Sequence, residues 1–139
     1  LFFPLLIEEL FGDDETALAI LQAKHPSDYK ALGRSTRNFD PAKWQENRTK
    51  IVSNALELKV NYIETEAHHF YFRSSSFPKF NLKTALLEQK GKLLVEAAAN
   101  DGIWGVGLSE KNPLIKSRSN WKGLNLLGYI LTDILQRIL

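Results

Sequence analysis

The amino-acid sequence predicts a single α+β domain that is mainly α-helical and carries a small β-sheet. A chain of 139 residues is long enough to bury one core and short for two. Hydrophobic residues make up 44% and charged residues 24%, which is typical of a folded domain rather than a disordered or membrane chain. Residues that start and stop helices recur along the chain, whereas one short stretch alone has the character of a strand.

Three helices are predicted in the first half of the chain. Residues 16–23 form a short amphipathic helix, and a second short helix ends at Gly33. Asp40 followed by Pro41 starts the third, because Asp accepts unpaired backbone N–H groups and Pro is tolerated at the first helical position. The apolar positions on the buried face of the first helix are Leu18, Ile20 and Leu21. Those of the third are Trp44, Ile51, Val52, Ala55 and Leu58.

The second half is predicted to end in a long helix. Asn81 caps a helix over residues 82–89, and residues 92–96 form a short strand. Residues 97–120, punctuated by Gly and Asn, form a loop region. The final helix runs from about residue 123 to 139. Its buried stripe consists of Leu126, Leu127, Ile130, Leu131, Ile134, Leu135 and Ile138.

Charge and cysteine content exclude several classes of function. The 18 basic and 16 acidic residues are interspersed, so the chain has no basic stripe for binding nucleic acid by charge. No cysteine is present, which excludes disulfides, thiolate metal sites and a cysteine nucleophile. The apolar residues 1–7 are too few to span a bilayer, and no basic segment precedes them as in a signal peptide, so we expect a cytoplasmic protein. The chain starts with Leu and contains no Met, which predicts that upstream sequence is missing.

The strongest candidate for a functional site is the loop over residues 100–108. It places the carboxylate of Asp101 three residues before the indole of Trp104, and Gly105 and Gly107 follow. Glycine lets the backbone approach a ligand closely, and an indole offers a flat face to a base or a sugar. The same residues fit a turn in which Asp101 caps the backbone and Trp104 belongs to the core, so both interpretations stay open at this level.

Two motifs in the second half resemble those of the NADAR (YbiA-like) family of N-glycosidase domains. The first is D-x-x-W-G-x-G-L over residues 101–108, preceded by Leu-Leu-Val-Glu-Ala at 93–97. The second is Trp-Lys-Gly-Leu-Asn-Leu-Leu-Gly over residues 121–128, which opens the final helix. Further matches in the family's order are residues 10–17, 32–34, 37–40 and Trp44. The resemblance covers residues 9–139 apart from an insertion at 60–79, and it implies a divergent YbiA-like domain without its N-terminal strands.

What the resemblance implies is hydrolysis of the N-glycosidic bond that joins ribose to a base or an amine. Members of the family act on phosphoribosylated intermediates of riboflavin synthesis or remove ADP-ribose from guanine. The implied partner is therefore a small nucleotide or ADP-ribose-type ligand, with nucleic acid only as the carrier of a modified base, and no membrane. Such a cleavage either builds charge at the anomeric carbon or passes through an opened sugar. It needs a carboxylate that stabilises the charge or activates water, and hydrogen-bond donors for the sugar phosphate. No cofactor is implied.

On this resemblance the catalytic residue is Asp101, as the acid/base or as the residue that orients the sugar. Trp104 packs against the base or the ribose, and Gly105 and Gly107 allow close backbone contact with the ligand. A plain structural role stands beside the role of Trp104, because an indole at this spacing also fits the core.

Two further binding residues are carried over from the family. Arg34 meets a phosphate, and Asn125 hydrogen-bonds the ligand or holds the loop. Arg34 fits equally well as a solvated or ion-paired side chain, and Asn125 fits as the cap of the final helix.

The sequence departs from the family at the position of its covalent lysine. Relatives carry that lysine four residues before the position that matches Phe11, and Ile7 stands there in this chain. An isoleucine forms no imine, so on this register the main catalytic group is absent and activity stays uncertain. Two alternatives to an active enzyme remain open: a non-catalytic module that binds a nucleotide or ADP-ribose, and a structural remnant of the family.

The insertion at residues 60–79 has two interpretations, a surface loop or a retained intron in the gene. Removing it would join Lys59 to Phe80 and restore a segment that the family has there. The acidic and histidine side chains within it do not predict a metal site, because adjacent histidines in an aperiodic loop rarely converge on one ion. These side chains are Glu64, Glu66, His68 and His69.

Overall fold

The structure is a computed structural model that describes residues 10–62 and 81–139. It divides into two compact units, Leu1–Ala55 and Leu56–Leu139. Within the described ranges the regular elements are helical. The α-helices are α1 (Asp14–Gln22), α2 (Pro26–Arg34), α3 (Pro41–Tyr62), α4 (Leu82–Leu87) and α5 (Leu126–Ile138). Two 3₁₀ helices, Pro113–Lys116 and Arg118–Asn120, precede α5. The prediction of a mainly helical chain is confirmed, while the prediction of one domain stays a prediction.

In the first unit, α1 buries only part of the predicted apolar face, because Ile20 is buried and Leu18 and Leu21 are not. Its N-cap is Asp13, whose side chain accepts a hydrogen bond from the Thr16 N–H, and Ala17 and Ile20 are buried. Leu18 and Leu21, predicted on the buried face, are 58% and 48% exposed, so that part of the prediction is wrong. A nine-residue helix has too few turns for its apolar spacing to fix which face packs inward.

The start of α3 confirms the prediction from Asp40 and Pro41. The Asp40 Oδ1 accepts hydrogen bonds from the backbone N–H groups of Ala42 at 2.8 Å and Lys43 at 3.2 Å. The helix continues to Tyr62, and Val60 is buried at 1% exposure. The first residues of the predicted insertion therefore extend α3, and the rest of it, residues 63–79, lies outside the described residues.

In the second unit, both predicted helices are present with shorter bounds. Asn81 caps α4 through a 3.0 Å bond from the Thr84 N–H, as predicted, and the chain then turns through Gly91 at φ +76°. In α5 the buried residues include Ile130, Ile134 and Leu135, which confirms the predicted stripe. No helix among the described residues has the length and apolar character needed to cross a membrane.

The short strand predicted over Lys92–Glu96 is not part of a sheet within the described residues. The Lys92 N–H donates to the Gln89 carbonyl, and the Glu96 carbonyl accepts from the Ala98 and Val106 N–H groups. The other backbone hydrogen bonds of the segment are to side chains of the final helix region. The Leu94 N–H donates to the Thr132 hydroxyl, and the Asn125 amide bridges the Leu94 carbonyl and the Glu96 N–H. The Asn125 side chain thus bonds the backbone groups of Leu94 and Glu96 that a neighbouring strand would bond in a sheet.

Candidate functional site

The Asp101 side chain organises the candidate loop. Its Oδ1 accepts hydrogen bonds from the backbone N–H groups of Ile103 at 3.0 Å and Trp104 at 2.8 Å. The Gly107 N–H closes the loop on the Asp101 carbonyl at 3.2 Å. Asp101 and Trp104 thus belong to one turn, and both are half-buried. The turn-capping role that the sequence left open for Asp101 is present, and the turn also fixes the direction of the carboxylate.

The loop is docked on the segment that leads into α5. Successive backbone N–H groups of that segment donate to loop carbonyls: Leu124 to Gly102, Asn125 to Gly105, Leu126 to Ile103 and Leu127 to Trp104, at 2.9 to 3.2 Å. The first N–H groups of an α-helix have no partner within the helix, so the loop carbonyls act as the cap of α5. The position of the Trp104 backbone is therefore fixed by the start of the last helix.

Gly105 and Gly123 are needed for this docking because the two backbones touch. A Cβ atom on Gly105 would lie 2.9 Å from the Glu96 carbonyl oxygen and 2.9 Å from the Ala98 Cβ. One on Gly123 would lie 2.2 Å from the Gly105 carbonyl oxygen. The close approach at Gly105 is thus to the protein's own chain. Gly107 has φ +68°, a conformation that favours glycine.

Asn125 is fully buried, and its amide is bonded to backbone. It has φ 54° and ψ 34°, in the left-handed region, and its side chain does not cap α5. The Oδ1 accepts from the Glu96 N–H at 2.9 Å, and the Nδ2 donates to the Leu94 carbonyl at 3.0 Å. These side-chain contacts tie Asn125 to residues 94–96, and its predicted role towards the ligand or the loop stays a prediction.

Gly128, the last residue of the second motif, and Thr132 complete the connection between α5 and residues 94–96, and the sequence analysis assigned a role to neither. A Cβ atom on Gly128 would lie 2.3 Å from the Leu94 carbonyl oxygen and 2.5 Å from the Asn125 Oδ1. The Thr132 hydroxyl donates to the Gly128 carbonyl at 2.7 Å while it accepts the Leu94 N–H at 3.0 Å. A glycine inside a helical apolar stripe is the one signal that pointed to this contact.

Arg34 lies in the first unit, at the C-terminal end of α2, where it is exposed. Its predicted role in meeting a phosphate stays a prediction. Ile7, the position that matches the family lysine, lies outside the described residues.

The first unit has a buried carboxylate, Asp13, that the sequence analysis did not identify as a candidate. The Asp13 side chain is 0% exposed and accepts from the Thr16 N–H, from the Arg37 N–H at 2.7 Å and from the Arg37 guanidinium at 3.2 Å. Hydrogen bonds from Thr16 and then from Arg37 hold the pKa of Asp13 well below its usual range. The same contact, with a second one to Glu15, raises the pKa of Arg37 above its ordinary value.

The described residues contain no group of three His, Asp or Glu side chains placed to hold a metal ion. The acidic and histidine residues of the insertion, Glu64, Glu66, His68 and His69, lie outside those residues. A cavity of about 310 Å³ opens beside the end of α5 in the second unit. Its lining is Glu57, Asn61, Ile134, Arg137 and Ile138, and Arg137 is ion-paired there with Glu57 and, at 2.9 Å, with Asp133.

Comparison with known proteins identifies the class as that of the NADAR domains. The model of the family described as NADAR domain matches residues 5–139, so the chain belongs to the NADAR family. The chain is similar to N-glycosidase R617 of Acanthamoeba polyphaga mimivirus, at 34% identity over 90% of this chain and 64% of the relative. It is also similar to Protein irg-1 of Caenorhabditis elegans, at 27% identity over 93% of this chain and 54% of the relative.

These comparisons confirm the resemblance drawn from the two sequence motifs. The chain spans less than two thirds of the length of both relatives. The matched region includes the Asp101 loop and all of α5.

Proposed function

We propose that this chain is an N-glycosidase domain that hydrolyses the bond between ribose and a base, with ADP-ribose on guanine or a ribosylated riboflavin intermediate as the substrate class. The observation that carries the proposal is the single turn that holds both Asp101 and Trp104 in a chain of the NADAR family. A relative at 34% identity bears the name N-glycosidase, which supports the same reaction class.

The chemistry follows from what the turn presents. Departure of the base leaves positive charge at the anomeric carbon, and the Asp101 carboxylate stabilises that charge or takes a proton from the attacking water. Two backbone N–H groups on Oδ1 fix the orientation of the carboxylate, so little reorganisation is required when charge develops. Trp104 supplies the flat face against which the base or the ribose packs.

Turnover of an oligonucleotide that carries ADP-ribosylated guanine tests the proposal. Asp101→Asn keeps an Oδ1 acceptor for the turn and removes the negative charge, so we expect cleavage to fall by about 10²- to 10⁴-fold with little change in folding. Glu110→Gln, an exposed acid beside the same loop, is the matched control and is expected to cleave as the unaltered chain does. Equal loss in both variants, or full activity in Asp101→Asn, would contradict the assignment of Asp101.

A second candidate is a binding module without turnover, which the isoleucine at the position of the family lysine favours. In that case calorimetry with ADP-ribose gives a heat of binding, no cleavage is detected, and the heat is lost in Asp101→Ala and in Trp104→Ala. Absence of both binding and cleavage would leave the chain as a structural remnant of the family.

A further inference from the structure

The segment between the candidate loop and α5 holds a local excess of basic side chains. Residues 111–122, the basic segment, carry four basic side chains and no acidic one, although acidic side chains outnumber basic ones in the rest of the chain. The prediction that the chain has no basic stripe weighed charge over the whole length and missed this excess. The four side chains are exposed: Lys111, Lys116, Arg118 and Lys122. Because Lys and Arg are almost never fully buried, this charge belongs to the molecular surface.

The backbone of the basic segment is held by its own side chains. The Asn112 Oδ1 accepts from the Leu114 N–H at 3.0 Å, and the Asn120 Nδ2 donates to the Leu114 carbonyl at 3.2 Å. The Trp121 indole N–H donates to the Ile115 carbonyl at 2.7 Å. A segment held at several points loses less conformational entropy on binding a ligand than a free loop does.

Arg118 lies against two aromatic rings. Its guanidinium carbon is 5.8 Å from the centre of the Trp121 ring and 5.6 Å from that of Tyr129, and its Nη2 donates to the Tyr129 hydroxyl at 2.6 Å. That bond uses one N–H of a guanidinium that carries several, so others can reach phosphate oxygens. Both rings are half-buried, so each keeps part of its surface exposed.

The basic segment ends against the candidate loop. The N–H groups of Lys122 and Gly123 both donate to the Val106 carbonyl, at 2.9 and 3.0 Å. The Lys122 Cβ lies 3.0 Å from the place that a Cβ atom on Gly107 would take. The start of the Lys122 side chain is therefore fixed next to the candidate loop.

We propose that the basic segment and Tyr129 form a surface that binds a single-stranded polynucleotide. Four cations spread along residues 111–122 exceed what one phosphate or diphosphate group needs, whereas a strand offers a phosphate at every nucleotide. Aromatic rings set among cations are the combination by which proteins bind single strands without reading their sequence. Arg118 contacts a phosphate, and Trp121 and Tyr129 offer ring surface to a base.

This surface has a consequence for catalysis that rests on the proposed function. A strand bound along the basic segment leads towards the candidate loop, so a substrate base carried on a polynucleotide is held more firmly than the same base on a free nucleotide. Binding of an unmodified strand needs no cleavage chemistry. Its measurement therefore succeeds or fails independently of the role proposed for Asp101.

Fluorescence anisotropy with a labelled oligothymidylate of about 12 nucleotides, at about 50 to 200 mM salt, tests the surface. Lys116→Gln/Lys122→Gln removes two phosphate contacts, so we expect binding at low salt to weaken about tenfold. The slope of log affinity against log salt should fall by about 0.7 for each lysine.

The matched control is Lys50→Gln/Lys90→Gln, which removes the same charge from exposed positions outside the basic segment. It should bind as the unaltered chain does, and thermal unfolding shows whether each variant is folded. Equal weakening in the two double variants overturns the proposal, because net charge then explains the binding. Absence of salt-dependent binding by the unaltered chain overturns it as well.

An abasic oligomer with the same number of phosphates separates a polynucleotide surface from a general anion site. The unaltered chain should bind oligothymidylate at least about fivefold more tightly than the abasic oligomer, because stacked bases add affinity. Tyr129→Leu keeps an apolar side chain on α5 and removes the ring, so most of this preference should be lost. Equal affinity of the unaltered chain for the two oligomers overturns the proposal.

Discussion

At the scale of single residues, Asn125 supplies hydrogen bonds to the backbone of Leu94 and Glu96 that a neighbouring strand supplies in a sheet. Its amide has a donor and an acceptor set side by side, which matches the Leu94 carbonyl and the Glu96 N–H along one strand edge. The left-handed backbone at Asn125 points the side chain back across the start of α5 rather than along it. Asparagine combines this amide with tolerance of the left-handed conformation.

Replacing Asn125 by Gly isolates the contribution of its amide. Glycine keeps the positive φ without strain but removes both hydrogen bonds, so two part-buried backbone groups lose their partners. We expect the free energy of unfolding in urea to fall by roughly 2–4 kcal/mol. Asn38→Gly is the matched control, since Asn38 also has a positive φ of 55° but is exposed, and its amide makes one long hydrogen bond, to the Phe11 carbonyl at 3.5 Å. It should change stability by less than about 1 kcal/mol. Equal effects in the two variants would show that backbone conformation, not the amide, is what matters.

At the scale of elements, the sequence predicted best the features that local chemistry decides. The starts of α3 and α4 follow from Asp40 and Asn81, each of which accepts N–H groups two or three residues ahead. The segment Lys92–Glu96 was predicted as a strand of a sheet because its residues favour an extended chain. Its partner, however, is an asparagine side chain 29 residues away, which no local pattern reveals.

The candidate site was likewise predictable in part. The motif placed Asp101 and Trp104 on one loop, and the structure joins them through a 2.8 Å hydrogen bond. The docking of that loop on the start of α5 depends on Gly105 and Gly123, whose close backbone contacts are formed across the fold. A glycine in a sequence does not show which backbone segment will approach it, so the docking of the loop on α5 could not be predicted from the sequence.

Replacing Gly128 by Ala measures how strongly α5 requires the close approach of Gly128 to the Leu94 carbonyl and the Asn125 amide. Within a helix, alanine is favoured over glycine by about 1 kcal/mol, so propensity alone predicts that Gly128→Ala stabilises the protein. The added Cβ would instead meet the Leu94 carbonyl oxygen at 2.3 Å and the Asn125 amide at 2.5 Å, and overpacking of this kind costs about 1–3 kcal/mol.

We therefore expect a net loss of stability in Gly128→Ala, measured by urea unfolding. Gly102→Ala is the control, because nothing lies within 4 Å of the position of its Cβ, and it should be nearly neutral. A stabilised Gly128→Ala variant would show that Leu94 and Asn125 move aside readily.

At the scale of the whole molecule, the chain holds two compact units with different means of stabilisation. In the second unit, residues 94–96 are joined to Asn125 and Thr132 by neutral hydrogen bonds. The first unit contains the buried Asp13, which joins the cap of α1 to Arg37 across 24 residues. Its stability should therefore respond to acid in a way that the contacts around Asn125 do not.

The direction of that response follows from the lowered pKa of Asp13. Because its pKa in the folded chain lies below the ordinary value of 3.8, the carboxylate stabilises the folded state fully above that pH, and the stabilisation is lost as the pH falls below it.

Asp13→Asn keeps an oxygen for the Thr16 N–H but carries no charge to pair with Arg37. We expect this variant to be less stable than the unaltered chain at neutral pH and the two to converge as the pH approaches about 2. Asp14→Asn, an exposed neighbour, is the control and should follow the unaltered chain at every pH. Thermal unfolding followed by hydrogen exchange in α1 measures the difference, and curves for Asp13→Asn and the unaltered chain that stay parallel down to that pH would contradict the role assigned to the Asp13–Arg37 pair.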